Sequence, residues 1–129
     1  MSKVVKFGGS SLADAKQFRK VADIIHADPE RKYVVPSAPG KRFKEDTKVT
    51  DMLYRCYDEV AVQGKDFTEA FAPIKERYNG IISDLGLTLN LDEEFAKIGE
   101  NFKAAVGSDY AASRGEYLNG IVLANYLGF

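Results

Sequence analysis

The stretch KVVKFGGSSLADAKQFRKVADII, Lys3 to Ile25, limits most strongly what this chain can form. A short apolar run rich in β-branched residues, Lys3–Phe7, meets Gly8-Gly9, and a helical pattern follows. Ala15, Phe18, Ala22 and Ile25 recur on one helical face, while Lys16, Arg19, Lys20 and Asp23 fall elsewhere. SLAD, Ser11 to Asp14, has the capping-box pattern and predicts the helix start; ADPE predicts its stop near Pro29. KYVVPSAPGK then predicts a second strand centred on Val34 and Val35, with Pro36, Pro39 and Gly40 punctuating its exit. Strand, glycine turn, helix, strand is a βαβ unit, which implies parallel strands and a right-handed crossover.

The remainder reads as helices. KRFKEDTK is polar and predicts a mobile surface loop. VTDMLYRCYDEVAVQG begins with a Thr50/Asp51 cap signal, carries Leu53, Tyr57 and Val60 at helical spacing, and stops at Gly64. Residues 66–87 are mostly helical in pattern, with Pro73 starting a helix or kinking one. LDEEFAKIGENFKAAVG predicts an amphipathic helix with Phe95, Ile98, Phe102 and Val106 on one face and Gly107 as its end; SDYAASRGEYLNGIVLANYLGF predicts another. Two strands cannot build a sheet covered on both faces. A further strand is therefore expected just past Phe129, and the chain is expected to be a truncated piece of a larger α/β protein.

Composition narrows the classes of function. At 129 residues, 45% hydrophobic and 29% charged, the chain has the make-up of one modest soluble globular domain. A formal net charge of -1 supplies no field for nucleic acid or an anionic membrane. The single cysteine, Cys56, rules out a disulfide framework, points to the cytoplasm, and reads as a small buried apolar residue. One histidine and one cysteine cannot assemble a Cys/His metal site, and His26, near a helix end, reads as dipole partner or solvated residue rather than catalyst. No run approaches the roughly 20 apolar residues of a membrane span, and MSKVVKFGG lacks the shape of a signal peptide.

KFGGSS, Lys6 to Ser11, admits two readings. Glycines after a strand let the backbone approach a ligand closely, and free N–H groups at a helix start favour anions, with Lys6 placing a cation on the same phosphate. Equally, Gly8-Gly9 makes a tight turn and Lys6 is a solvated strand-end residue. PSAPGK adds weight to the first reading, because it too lies past the C-terminal end of a strand, where open α/β sheets bind ligands. KVTD adds a hydroxyl at a helix start, and SRGE sets Arg114 near Glu116, which is either a surface carboxylate or a buried acid for a cationic ligand group.

The four segments KFGGSS, VVPSAPGK, KVTDML and SRGEYLNGIVLANYLGF, in this order and spacing, closely resemble aspartate kinases of the amino-acid kinase superfamily. Ser10 stands where the family usually has threonine, and Pro36 where a plain apolar residue is commoner. The resemblance implies an α/β amino-acid kinase (carbamate kinase-like) fold, truncated, with a parallel βαβ core and several additional helices. Residues 1–129 would be the N-terminal part of the catalytic domain, without its remainder or the C-terminal ACT domains. It also implies a cytoplasmic enzyme, a homo-oligomer at full length, that transfers the γ-phosphoryl of ATP, with Mg2+, to the β-carboxylate of L-aspartate. The product, 4-phospho-L-aspartate, opens lysine, threonine and methionine synthesis. Carried over residue by residue, Lys6 stabilises the transferred phosphoryl, Gly8, Gly9 and Ser10 hold ATP phosphates, Ser37 and Thr50 contact aspartate, and Glu116 binds its α-ammonium group. Arg114 and Gly115 belong to the same motif without a catalytic role.

Scarcity of histidine is no objection, since a carboxylate with a pKa of about 4 is already ionised at neutral pH. Alignment of two anions matters instead. The 129-residue chain alone is expected to be inactive. Two other readings stand beside this one. A glutamate or acetylglutamate kinase is opposed by KVTDML and SRGEYLNG. A non-catalytic interaction module is opposed by the joint presence of Lys6, Ser37, Thr50 and Glu116.

Overall fold

Strand β1 (Lys3–Phe7) and strand β2 (Arg31–Pro36) pair in parallel, with Lys6 opposite Val35 and Phe7 opposite Pro36. The computed structural model describes residues 2–128, and among these the two strands form the sheet. Alternation along the strands sends Val4, Lys6, Tyr33 and Val35 to one face and Val5, Phe7, Val34 and Pro36 to the other. The second face is partly buried against helices; on the first, Val4, Tyr33 and Val35 remain 69%, 60% and 47% exposed.

Helix α1 (Ala15–His26) crosses between the strands and buries Ala15, Phe18, Val21, Ala22 and Ile25. Its start differs from the capping box expected at Ser11. Gly9–Leu12 form a short 3-10 turn, Ser11 N–H donates to Gly8 O, and Asp14, in extended conformation, is the residue that caps α1 by accepting from Gln17 N–H. His26 lies exposed in the last turn.

Helix α2 (Val49–Tyr57) begins one residue before Thr50, so Thr50 and Asp51 lie in its first turn rather than capping it. Val49 N–H is satisfied instead by Pro39 O at 3.0 Å. A π-turn, Asp58–Val62, continues α2 towards Gly64, whose φ of +72° suits a residue without Cβ. Helix α3 (Phe67–Asp84) holds Pro73 inside it, on the exposed side, so Pro73 does not start the helix. Helix α4 (Asp92–Lys103) buries Phe95, Ile98 and Phe102, but Val106 is 51% exposed beyond its end. Ala105 turns left-handed there (φ +54°) and its N–H closes on Phe102 O, which takes Val106 off the helical face. Helix α5 (Ser108–Leu127) runs back to the sheet.

One buried cluster joins all of these: Phe18 from α1, Leu53 from α2, Ile74 and Tyr78 from α3, Phe102 from α4, and Leu118 with Val122 from α5. Cys56 belongs to it, 1% exposed, as its sequence context predicts. Burial, with Glu59 adding, pushes its thiol pKa up to about 12, so it packs as a small apolar group.

Glycines mark where the helices approach closest. A Cβ on Gly115 would stand 2.7 Å from Ala38 Cβ and 3.2 Å from Leu53 Cδ1, and neither neighbour is the free end of a long side chain. Gly80, on the exposed side of α3, has open space. The two should respond to alanine with opposite signs. Gly80→Ala should stabilise by about 0.5 to 1 kcal/mol through helix propensity. Gly115→Ala should destabilise by about 1 to 2 kcal/mol, overpacking exceeding that gain. Urea unfolding followed by circular dichroism measures both; equal signs would mean that α5 is not in contact with the Ala38 loop.

Candidate functional site

The site grows from the meeting of two loops. β1 leads into Gly8, Gly9 and Ser10; β2 leads into Ser37, Ala38, Pro39 and Gly40. Gly40 N–H donates to Gly9 O at 2.8 Å, and Ser37 N–H extends the strand ladder to Phe7 O at 3.0 Å. A Cβ on Gly40 would meet Gly9 C, Gly9 O and Ser10 N at 2.6 to 2.8 Å, all of them backbone. A Cβ on Gly9 would stand 3.1 Å from Ala38 O. Side chains at these positions would push the loops apart, so both glycines are needed for contact rather than for unusual dihedrals.

Helix α5 closes the site from a third side. Gly115 lies against Ala38, Leu53 and Val49, which brings the backbone of α5 up to the Ser37 loop and the start of α2. The Asn119 amide donates to Ser37 O at 2.7 Å, and its own Oδ1 is buried without a partner among the described residues. Tyr78 on α3 donates its hydroxyl to Gly115 O at 2.8 Å, and full burial raises its pKa.

The residues predicted from sequence thus fall as follows. Gly8, Gly9 and Ser10 lie beside the Ser37 loop. Ala38, Val49 and Gly115, the chain neighbours of Ser37, Thr50 and Glu116 respectively, pack together. Lys6 is exposed at the β1 end, on the sheet face away from α5, and has no ion-pair partner among the described residues. Glu116 is exposed, which corrects the buried-acid alternative. The dipole expected behind the glycine turn is also displaced. The 3-10 turn separates Gly8-Gly9 from α1, and Asp14 occupies that helix's N-terminus.

Arg77 was not expected. It lies on α3, 6% exposed, and its Nη2 donates to Ala13 O at 3.0 Å and to Gly40 O, while Nη1 donates to Thr47 O at 3.2 Å. Nη1 also lies 3.7 Å from Asp46, which Arg42 grips through Nε at 2.7 Å and Nη2 at 3.0 Å. The KRFKEDTK loop is therefore tethered at Asp46 and Thr47, although residues 41–45 are exposed. A sequence signal for Arg77 existed: a cation spaced three from Ile74 and four from Ile81, in the apolar stripe of α3. Asn119 likewise interrupts the buried stripe of Gly115, Leu118, Val122 and Leu123.

Hydrogen bonding to Arg42 holds the Asp46 carboxyl well below the usual carboxylate range. The unfolded chain takes up this proton near pH 4, whereas the folded chain resists it. The pair therefore supports folding fully above about pH 5, and its contribution fades as pH falls through 4 towards the folded value. The advantage of wild type over Asp46→Asn in urea midpoint should accordingly be present at pH 7 and shrink by pH 3. A constant difference would show that the carboxylate titrates alike in both states.

The sequence model described as "Amino acid kinase family" matches residues 1–128. Aspartokinase 3 of Bacillus subtilis is 48% identical over 92 residues, which are 71% of this chain and 20% of that protein. A chloroplastic bifunctional aspartokinase/homoserine dehydrogenase 1 of Zea mays is 27% identical over 130 residues, covering 100% of this chain and 13% of that protein. Among solved structures, Clostridium acetobutylicum aspartate kinase superposes with a TM-score of 0.90 at 50% identity, covering 97% of this chain and 29% of that one. E. coli aspartokinase III in complex with aspartate and ADP has the same fold, with a TM-score of 0.74 at 23% identity over 99% of this chain and 29% of that one. The chain thus spans less than a third of each of these relatives. With parallel βαβ strands, the glycine turn and the converging loops all in place, it belongs to the amino acid kinase family.

Proposed function

We propose that this chain is the N-terminal part of an aspartate kinase catalytic domain. The observation that carries this reading is the 50% identity to an aspartate kinase across 97% of the chain, at a TM-score of 0.90. The exposed apolar sheet face at Val4, Tyr33 and Val35 supports the partial-domain reading, because parallel sheets are ordinarily covered on both faces.

In the whole protein, the aspartate β-carboxylate attacks the γ-phosphorus of ATP. The bond from that phosphorus to the bridging oxygen breaks, ADP leaves, and 4-phospho-L-aspartate forms with no proton to move. Catalysis then consists of bringing two anions together and neutralising charge on the transferred group. In this assignment Lys6 is the cation for that group, and Gly8, Gly9 and Ser10 face the ATP phosphates. Ser37 and Thr50 bind aspartate, and Glu116 binds its ammonium group. Exposure of Lys6 and Glu116, without ion-pair partners among the described residues, supports a role towards ligands. Mg2+ would come with the nucleotide. Among the described residues no group of three or more His, Cys, Asp or Glu is clustered to hold it, so no protein ligand is assigned. The reading carries with it a cytoplasmic homo-oligomer serving lysine, threonine and methionine synthesis. No helix among the described residues is long and apolar enough to cross a membrane.

Lys6→Ala in the whole protein carrying this chain should lower kcat by about a hundredfold or more while the aspartate KM changes by less than about threefold. Coupled ADP release and hydroxylamine trapping of the acyl phosphate measure this. Unchanged kcat would remove Lys6 from the transfer step. The 129-residue chain alone should form no aspartyl phosphate.

A further inference from the structure

Arg77 contacts every loop on which the candidate site is built. Ala13 ends the segment that carries Gly8, Gly9 and Ser10; Gly40 ends the loop that carries Ser37; and Thr47 leads into α2 and Thr50. All three carbonyls lie 30 or more residues from Arg77 in sequence, and they point at its one buried guanidinium. Beyond the Gly40–Gly9 hydrogen bond and the Val49–Pro39 bond, which tie the loops in pairs, this cation reaches all three. The planar fork fixes directions as well as distances, which a single ammonium cannot do. Asp46 stands on the outer side at 3.7 Å and is itself held by Arg42, so the cation's solvent side is closed by a fixed counter-charge.

We infer that Arg77 is the positioning residue of this site, setting the register between the Gly8–Ser10 turn, the Ser37–Gly40 loop and the first turn of α2. The inference rests on the proposed placement of the ATP phosphates and aspartate on those loops. Arg77 does not touch either substrate; it acts through the backbone of the segments that do. Because the two walls would hold the two reacting anions, a small relative shift would impair both binding and transfer.

Arg77→Lys in the whole protein keeps the charge and loses the fork. The expected result is a fall in kcat of about tenfold or more, together with a rise of about threefold or more in KM for both ATP and aspartate. The variant should be fully folded at the assay temperature by thermal melting. A purely structural loss would lower the active fraction and leave both KM values unchanged; that result, or kinetics like wild type, overturns the inference. Methylguanidinium added to Arg77→Ala should restore both KM values towards wild type. If Arg77→Lys does not fold, Asp46→Asn carries the same test, with KM changes of about threefold in the same direction. Should the parent protein not phosphorylate aspartate, the proposed function fails and hydrogen exchange decides the clamp. In that case the Gly40 and Val49 amides should lose about tenfold in protection in Arg77→Lys, with amides of α1 unchanged. Unaltered protection at Gly40 and Val49 would end the inference.

Discussion

The contact between Gly9 and Gly40 is the constraint on which the rest of this structure depends. It is backbone on backbone, with a 2.8 Å hydrogen bond, no room for a Cβ on Gly40 and only a tight fit for one on Gly9. Each strand of the sheet ends in one of these loops, so the parallel pairing of β1 and β2 delivers the two loop ends to the same place. The strands supply direction and the glycines supply proximity. Neither would suffice alone, since parallel strands followed by bulky residues would splay where these loops meet. Helix α5 repeats the device at Gly115, where the absence of a side chain lets its backbone reach Ala38 and the start of α2.

Close backbone packing creates a polar problem that helix α3 solves. Carbonyls at Ala13, Gly40 and Thr47 turn inward, away from water, where an unpaired acceptor is costly. Arg77 satisfies all three, and its neighbour Tyr78 does the same for Gly115 O. Burial lowers the pKa of Arg77 and Asp46 opposes that shift, but an arginine stays charged under such pulls. Its Nε has no partner among the described residues, so the arrangement is not fully satisfied there. Replacing such a cation with an apolar residue would orphan the carbonyls, which is why a charge persists in an otherwise apolar stripe.

Much of this was legible in the sequence because the signals were local. Lys3–Phe7 and the KYVVP run carry the β-branched apolar pattern, and both strands form there. Phe18, Leu53, Ile98 and Phe102 sit in helical stripes, and all are buried. The failures arose where local signals competed. Ser11 and Asp14 both suit an N-cap, and the 3-10 turn, which consumes Ser11, left Asp14 to do it. Thr50 suits a cap as well, yet Pro39 O already serves the first helical N–H, that of Val49, from ten residues upstream, a partner that no local pattern announces. Val106 continues a 3.6-residue repeat past the point where Ala105 breaks the helix. Arg77 and Asn119 were visible only as interruptions of apolar stripes, and their partners lie tens of residues away in sequence.

The motifs and the scaffold therefore divide along the chain. Lys6, Gly8, Gly9, Ser10, Ser37 and Thr50 are short-range patterns at element ends and Glu116 belongs to the SRGE segment within α5, the kind of signal that a family resemblance captures. The residues that hold those ends, Arg77, Tyr78 and Asn119, come from the middles of α3 and α5 and act on backbone carbonyls rather than on side chains. A carbonyl is present whatever the residue identity at Ala13, Gly40, Thr47, Gly115 or Ser37, so these partnerships leave no paired signature in the sequence. They constrain only one side, the donor, and require the acceptor's backbone to be in place. For a site that works by alignment of two anions rather than by proton transfer, that backbone placement is the larger part of the chemistry.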